Sequence, residues 1–133
     1  MRIAYISNNN PEDINNWSGT PCHIVSALRK YHEVDWVGGG VLNGALWHHR
    51  FLNKKKRFNL LDYSEEVGNV VSRFLEKGKY DIAISSTYSM CSHRKVDVPL
   101  VAFSDLTYNL CTTYLKKAAS KALKERAMPV ERD

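Results

Sequence analysis

Residues 15–24 read NNWSGTPCHI, and the residue types in that stretch suit a binding loop. Ser18 and Thr20 carry hydroxyls, Gly19 lets a backbone come close to a ligand, and Pro21 suits the first turn of a helix. Such a loop, placed before a helix, can aim amide N–H groups and the positive end of the helix dipole at an anion. A plainer use fits the same residues: Ser18 and Thr20 cap the helix and Gly19 makes the turn. Thr20 reads as the N-cap, with Pro21 following at the first helical position. A second group is Ser104, Asp105 and Thr107, polar residues just past an apolar run. Asp105 there suits orienting a ligand hydroxyl, or simply a strand-end turn or helix cap.

Other chemistries find less support. No GxGxxG follows the first apolar run, no GxxxxGK[ST] occurs, and Gly38-Gly39-Gly40 alone is a weak signal. His48 and His49 are adjacent, so on a helix they diverge; Cys91 and His93 lack the rest of a zinc site. The same pair is too close in sequence to expect nucleophile–base geometry. No two carboxylates stand out as an acid/base couple. The stretch ALWHHRFLNKKKRF mixes aromatic and basic residues without a nucleic-acid motif, so no nucleic-acid partner is expected.

These residues need elements to position them. RIAYIS (2–7) reads as a buried strand, stopped by the turn-forming NNNPEDINN. From Thr20 onward Ile24, Val25, Leu28 and Tyr31 fall on one helical face, with Lys30 in the last turn. EVDWVGG then reads as a second strand, and strand–helix–strand at this spacing implies a right-handed crossover and a parallel sheet. DYSEEVGNVVSRFLEKG carries a stripe of Val67, Val70, Val71, Phe74 and Leu75; Asp62 or Ser64 can cap it and Gly78 can end it in the C′ position. YDIAISS (80–86) and PLVAFSD (99–105) read as the third and fourth strands, with a short helix or a loop between them. A short helix around 45–52 and a final helix over 113–128 complete the pattern.

In an open parallel sheet, ligands gather beyond the carboxyl ends of the strands. Those ends here are residues 7–20, 38–40, 85–89 and 104–107, all rich in Gly, Ser, Thr or Asp. Their composition suits sugar hydroxyls or phosphates.

The totals set wider bounds. The 133 residues suit one domain spanning 1–133, with 44% hydrophobic and 25% charged residues as in an average globular protein. The three cysteines, Cys22, Cys91 and Cys111, form no CxxC pair and suit buried, reduced thiols in a cytoplasmic setting. No run reaches the roughly 20 apolar residues that span a bilayer, and no signal-peptide layout opens the chain. The net charge of +5 permits contact with phosphate or anionic lipid. Lys54, Lys55, Lys56 and Arg57 suit either a solvated loop or a peripheral membrane contact.

RIAYIS…WSGTPCHIVSALRKYHEVDWVG resembles the N-terminal domain of family 4 glycosyltransferases, one half of the GT-B fold. YDIAISS…VDVPLVAFSDLTY is similar to a later pattern of the same subset, at Asp81, Ile82, Ile84, Pro99, Val101, Ser104, Asp105 and Thr107. The resemblance covers most of residues 1–110 and leaves 41–61 and the tail unmatched. It implies an α/β, Rossmann-like three-layer domain with a mostly parallel sheet. Such a domain binds the acceptor, while a second domain holds a nucleotide-sugar donor, and the sugar moves with retention of configuration. The resemblance implies no cofactor or required metal. It places Ser18, Gly19 and Thr20 at the cleft near the donor's phosphate or sugar, with Ser104, Asp105 and Thr107 facing the same cleft. Asp105 is then the candidate catalytic residue, and a saccharide or lipid-linked molecule the acceptor. Family members often place a histidine where this chain has Ser104-Asp105. The donor-binding half is not within these 133 residues, and the isolated chain is expected to be inactive in transfer. A different expectation is a non-catalytic module that docks a protein partner through Trp47–Phe51 and Lys54–Arg57.

Overall fold

A computed structural model of the chain describes residues 1–40, 42, 60–87 and 90–104. Four strands form one sheet: β1 (Arg2–Ser7), β2 (Glu33–Gly38), β3 (Ile82–Ser85) and β4 (Leu100–Ala102). Helix α1 (Thr20–Leu28) joins β1 to β2, and α2 (Leu60–Gly78) precedes β3. The order across the sheet is β2-β1-β3-β4 and every pair is parallel. The architecture is α/β with an all-parallel four-stranded sheet.

β1 is central, which is why its sequence is an almost unbroken apolar run: a strand flanked on both sides and covered on both faces has little use for polar side chains. Ile3 to Ser7 are all buried. Alternation then divides the core in two. Ala4 and Ile6 join Val37, Ala83 and Met90 against Val67, Val71 and Leu75 of α2. Ile3 and Tyr5 join Val34 against Val25 of α1, with Ile24, Leu28, Ile82, Ile84 and Phe103 around them. The two helices therefore cover opposite faces. Fully burying side chains the size of Ile6 or Leu75 contributes roughly 1.5–3 kcal/mol each.

Several local expectations change. Gly19, not Thr20, is the N-cap of α1; Thr20 is the first helical residue and makes no side-chain cap. The left-handed glycine starts the helix by geometry, so the hydroxyl is not needed there. Helix α1 ends at Leu28, which leaves Lys30 beyond it and Tyr31 81% exposed instead of on the packed face. Helix α2 begins at Leu60, so Asp62 and Ser64 lie inside it. Its left-handed terminator is Lys79 (φ 51°), one residue past Gly78. Phe74 drops out of the buried stripe at 36% exposure, while Val67, Val71 and Leu75 remain in it. Tyr80, Asp81 and Ser86 fall outside β3, and Pro99 and Phe103 outside β4. Between those strands Met90–Arg94 is a turn, tied back to α2 where the Lys95 amide donates to Ser72 Oγ (2.8 Å).

The strand order fixes where loops can converge. The chain steps from β1 outward to β2, then returns past β1 to β3 on its other side. Successive loops part company between β1 and β3, leaving a crevice at their carboxyl ends.

A candidate binding cleft at the carboxyl rim

That crevice is present as a cleft of roughly 410 Å³. Its lining comes from the loop after β1 (Ser7, Asn8, Asn9, Asn10), from Asn16, Trp17 and Pro21 at the approach to α1, from Ser86 and Thr87 after β3, and from Ser104 after β4. The volume is within the roughly 300–1,000 Å³ usual for small-molecule sites. No charged side chain is among these ten lining residues.

Both inner loops leave the sheet by the same device. Ser7 Oγ donates to the Asn9 carbonyl (2.8 Å), and Ser85 Oγ donates to the Thr87 carbonyl (2.8 Å). A serine hydroxyl satisfying a carbonyl two residues on turns each loop at the strand's last residue. The first loop is then stitched internally. The Glu12 amide donates to Asn10 Oδ1 (2.9 Å), the Asn15 amide to Asp13 Oδ1 (2.9 Å), and Asn16 Nδ2 to the Asn10 carbonyl (2.9 Å). Pro11 is buried beneath it, and an exposed Arg29–Glu12 pair (2.6 Å) ties it to the end of α1.

The wall residue Trp17 sits in unusual backbone. Trp17 (φ 47°), Ser18 (φ 54°) and Gly19 (φ 79°) are consecutive left-handed residues. For the two non-glycine residues this costs roughly 1–2 kcal/mol each. The turn sets the Trp17 ring parallel to Phe103, with centroids 5.7 Å apart and planes 13° apart. Such a stack returns only about 0.5–1.5 kcal/mol, so it offsets part of the strain and the stitched loop must hold the rest. Gly19 is favoured by its φ; a Cβ there would also make a tight 3.2 Å contact with Cγ1 of the exposed Ile14.

Of the site residues expected from sequence, Ser104 lines the cleft. Ser18, Gly19 and Thr20 do not line it; their neighbours Trp17 and Pro21 do. Ser18 and Thr20 are exposed and Gly19 is buried. The Thr20 amide donates to the Trp17 carbonyl, and Pro21 has no amide proton. The helix mouth thus has two fewer N–H groups to offer a ligand. Asp105 and Thr107 lie outside the described residues, as do Lys54–Arg57, Trp47–Phe51, His48, His49, Cys111 and the segments 45–52 and 113–128.

Gly38, Gly39 and Gly40, at the end of β2, are not among the residues that line the cleft. Trp36 folds over that end of the sheet, its Nε1 donating to the Ser7 carbonyl at 3.1 Å. Gly38 is locked beneath it: a Cβ would stand 1.9 Å from the Ser7 carbonyl oxygen and 2.3 Å from Trp36 Nε1. The glycine run therefore serves close packing at this position. Cys91 is buried beneath the β3 loop, its Sγ 3.6 Å from the Thr87 carbonyl, and burial pushes its thiol pKa up. A thiol held protonated in that way is a poor nucleophile. Among the described residues no three His, Cys, Asp or Glu side chains gather as metal ligands would, and no helix is long and apolar enough to cross a membrane.

The residues that sequence reasoning did not single out are the amides of Asn8, Asn9, Asn10 and Asn16, together with Trp17 and Thr87. The available signal was the Asn8-Asn9-Asn10 run at a strand's carboxyl end, where turn chemistry alone does not call for three amides in succession. Comparison with protein-family models, curated proteins and solved structures finds no match to this chain.

Proposed function

We propose that this chain is a Rossmann-like, acceptor-binding half of a GT-B glycosyltransferase that moves a sugar from a nucleotide-sugar to an acceptor hydroxyl. The observation that carries the reading is the polar cleft at the point where the strand order reverses, with the Trp17–Pro21 segment contributing its wall at both ends. That segment is the one on which the family resemblance rests most heavily. The acceptor enters the cleft, and the asparagine amides and the hydroxyls of Ser86, Thr87 and Ser104 fix its orientation. The acceleration supplied by this half is positional: a correctly held hydroxyl converts a two-body encounter into a near-unimolecular attack. Neutralising the leaving diphosphate falls to the domain that holds the donor. Ser18 and Thr20, exposed beside the lining residues, are placed to meet a donor from outside the cleft. Asp105 and Thr107 follow Ser104 closely in sequence, and Asp105 is the residue proposed to orient the reacting hydroxyl.

Isothermal titration of the chain with UDP-glucose, GDP-mannose, the free nucleotides and simple glycans tests the reading. Binding of a sugar-containing compound, lost in Gly19→Val with the far-UV spectrum intact, is the expected result. A silent titration across the panel, with the chain forming a stable dimer, overturns it.

A further inference from the structure

We infer that residues 17–19 form a two-state flap at the edge of the cleft, latched by the stack of Trp17 on Phe103. This goes beyond the acceptor-binding reading and does not depend on what the cleft holds. The first argument is local strain. Trp17 (φ 47°, ψ 48°), Ser18 (φ 54°, ψ 30°) and Gly19 (φ 79°) follow one another in the left-handed region, where residues with a side chain are disfavoured. The local preference of the chain is to leave this turn, so contacts from outside it must hold it. The second argument is where the strain stops. Asn16 is tied to the first loop, its amide donating to the Asp13 carbonyl (3.0 Å) and its Nδ2 to the Asn10 carbonyl (2.9 Å). Thr20 already belongs to α1. A strained piece of three residues thus lies between two anchored ends, as a hinged flap requires.

The third argument is the latch. Phe103, just past β4, packs against the core cluster of Ile3, Tyr5, Val25 and Val34, which gives it a fixed seat. The Trp17 ring lies against it at 5.7 Å and is still 39% exposed, so the stack can part without opening the core. Trp17 lines the cleft from the approach to α1, and Ser104, the neighbour of Phe103, lines it from the β4 side. The stack therefore joins two walls, and parting it changes the width between them. A ligand that fits one width better shifts the flap toward that state.

Amide hydrogen exchange followed by NMR tests this. The Thr20 amide is the probe, because its bond to the Trp17 carbonyl breaks when the flap opens. The Ala83 amide, bonded to the Pro99 carbonyl (2.8 Å), serves as the reference, so that changes in overall stability drop out. Phe103→Leu keeps an apolar side chain in the core and removes the ring; relative exchange at Thr20 should rise about fivefold. Ser18→Gly, at an exposed position, relieves the strain of the latched state and should slow it several-fold. With 5-fluorotryptophan incorporated, the Trp17 signal, assigned by its loss in Trp17→Phe, should exchange between two environments that the two substitutions weight in opposite directions. Thr20 exchange indifferent to both substitutions, or a Trp17 signal with one environment in every variant, overturns the inference and leaves the acceptor-binding reading standing. Should Phe103→Leu fail to fold, Ser18→Gly decides alone: slower Thr20 exchange supports the flap, and unchanged or faster exchange overturns it.

Discussion

At the amino ends of the strands Arg2 reaches Asp35 (2.8 Å), Glu33 (3.4 Å) and the Gly78 carbonyl (2.6 Å), while at the carboxyl ends none of the described residues lining the cleft is charged. The amino rim is a closed network. Tyr80 Oη donates to the same Asp35 oxygen (3.0 Å), the Arg2 guanidinium stacks 5.0 Å from the Tyr80 ring centre, and the Arg2 amide donates to Asp81 (2.6 Å). Its hydrogen bond to Asp35 pushes the Arg2 pKa up still further, so the cation is permanent. That network ties β1, β2 and the end of α2 together. The carboxyl rim is stitched within its loops instead, and amides and hydroxyls of those loops line a cleft. The contrast separates two uses of polar residues: joining elements at one end, and turning loops around a cleft at the other. Left-handed non-glycine backbone occurs at both ends, in Lys79 after α2 and in Trp17 and Ser18 before α1, and of these Trp17 lines the cleft.

The comparison breaks first at the one part of the carboxyl rim that is closed. Gly38→Val would drive a side chain into the Ser7 carbonyl and the Trp36 indole, with backbone on one side unable to yield. A loss of about 3 kcal/mol, the upper end for overpacking, is expected in urea unfolding. A small effect would mean that the β2 end is looser than the Trp36 contact implies, and the division of the rim into a closed half and an open half would fail. A lesser loss is expected from Asp35→Ala at the opposite end. It removes the shared acceptor of Arg2 and Tyr80, but those groups are partly exposed and water replaces much of the bond. The unfolding midpoint should fall while sugar binding at the far rim stays unchanged. A change in affinity would show that the two ends are coupled through β1.

How far sequence carried this picture differs from element to element. β1 was legible to the residue, because its apolar run is bounded by Arg2 and by three asparagines. The parallel arrangement followed from strand–helix–strand spacing, and the ligand-facing ends of all four strands could be named. Which of those ends meet could not. That depends on the order β2-β1-β3-β4, a tertiary choice that puts β2 at the edge and brings the loops after β1, β3 and β4 together. Within the first loop, propensity pointed to Ser18, Gly19 and Thr20 because they are the usual capping and turning residues. The left-handed run instead buries Gly19 and gives the cleft its neighbours Trp17 and Pro21. A tryptophan at φ 47° is disfavoured by its own local preference, and no propensity rule would have placed it there.

The smallest expected effect is also the most discriminating, because stability and binding should move independently. Thr87 Oγ1 is buried at the cleft and has no hydrogen-bond partner among the described residues. An unpartnered buried hydroxyl is a standing penalty, and replacing it with a methyl group of the same shape removes that penalty. Thr87→Val should therefore leave stability unchanged or raise it by up to about 1 kcal/mol, measured by urea unfolding. The carbonyl of residue 87 is retained, so the bonds it accepts from Ser85 and Cys91 survive the change. On the acceptor-binding reading sugar affinity should fall, because this buried hydroxyl is one that a bound hydroxyl can partner. A variant that loses stability would show that the hydroxyl already has a partner within the protein. A variant that keeps full affinity would remove Thr87 from the proposed site, and with it the β3 side of the contrast between the charged amino rim and the cleft.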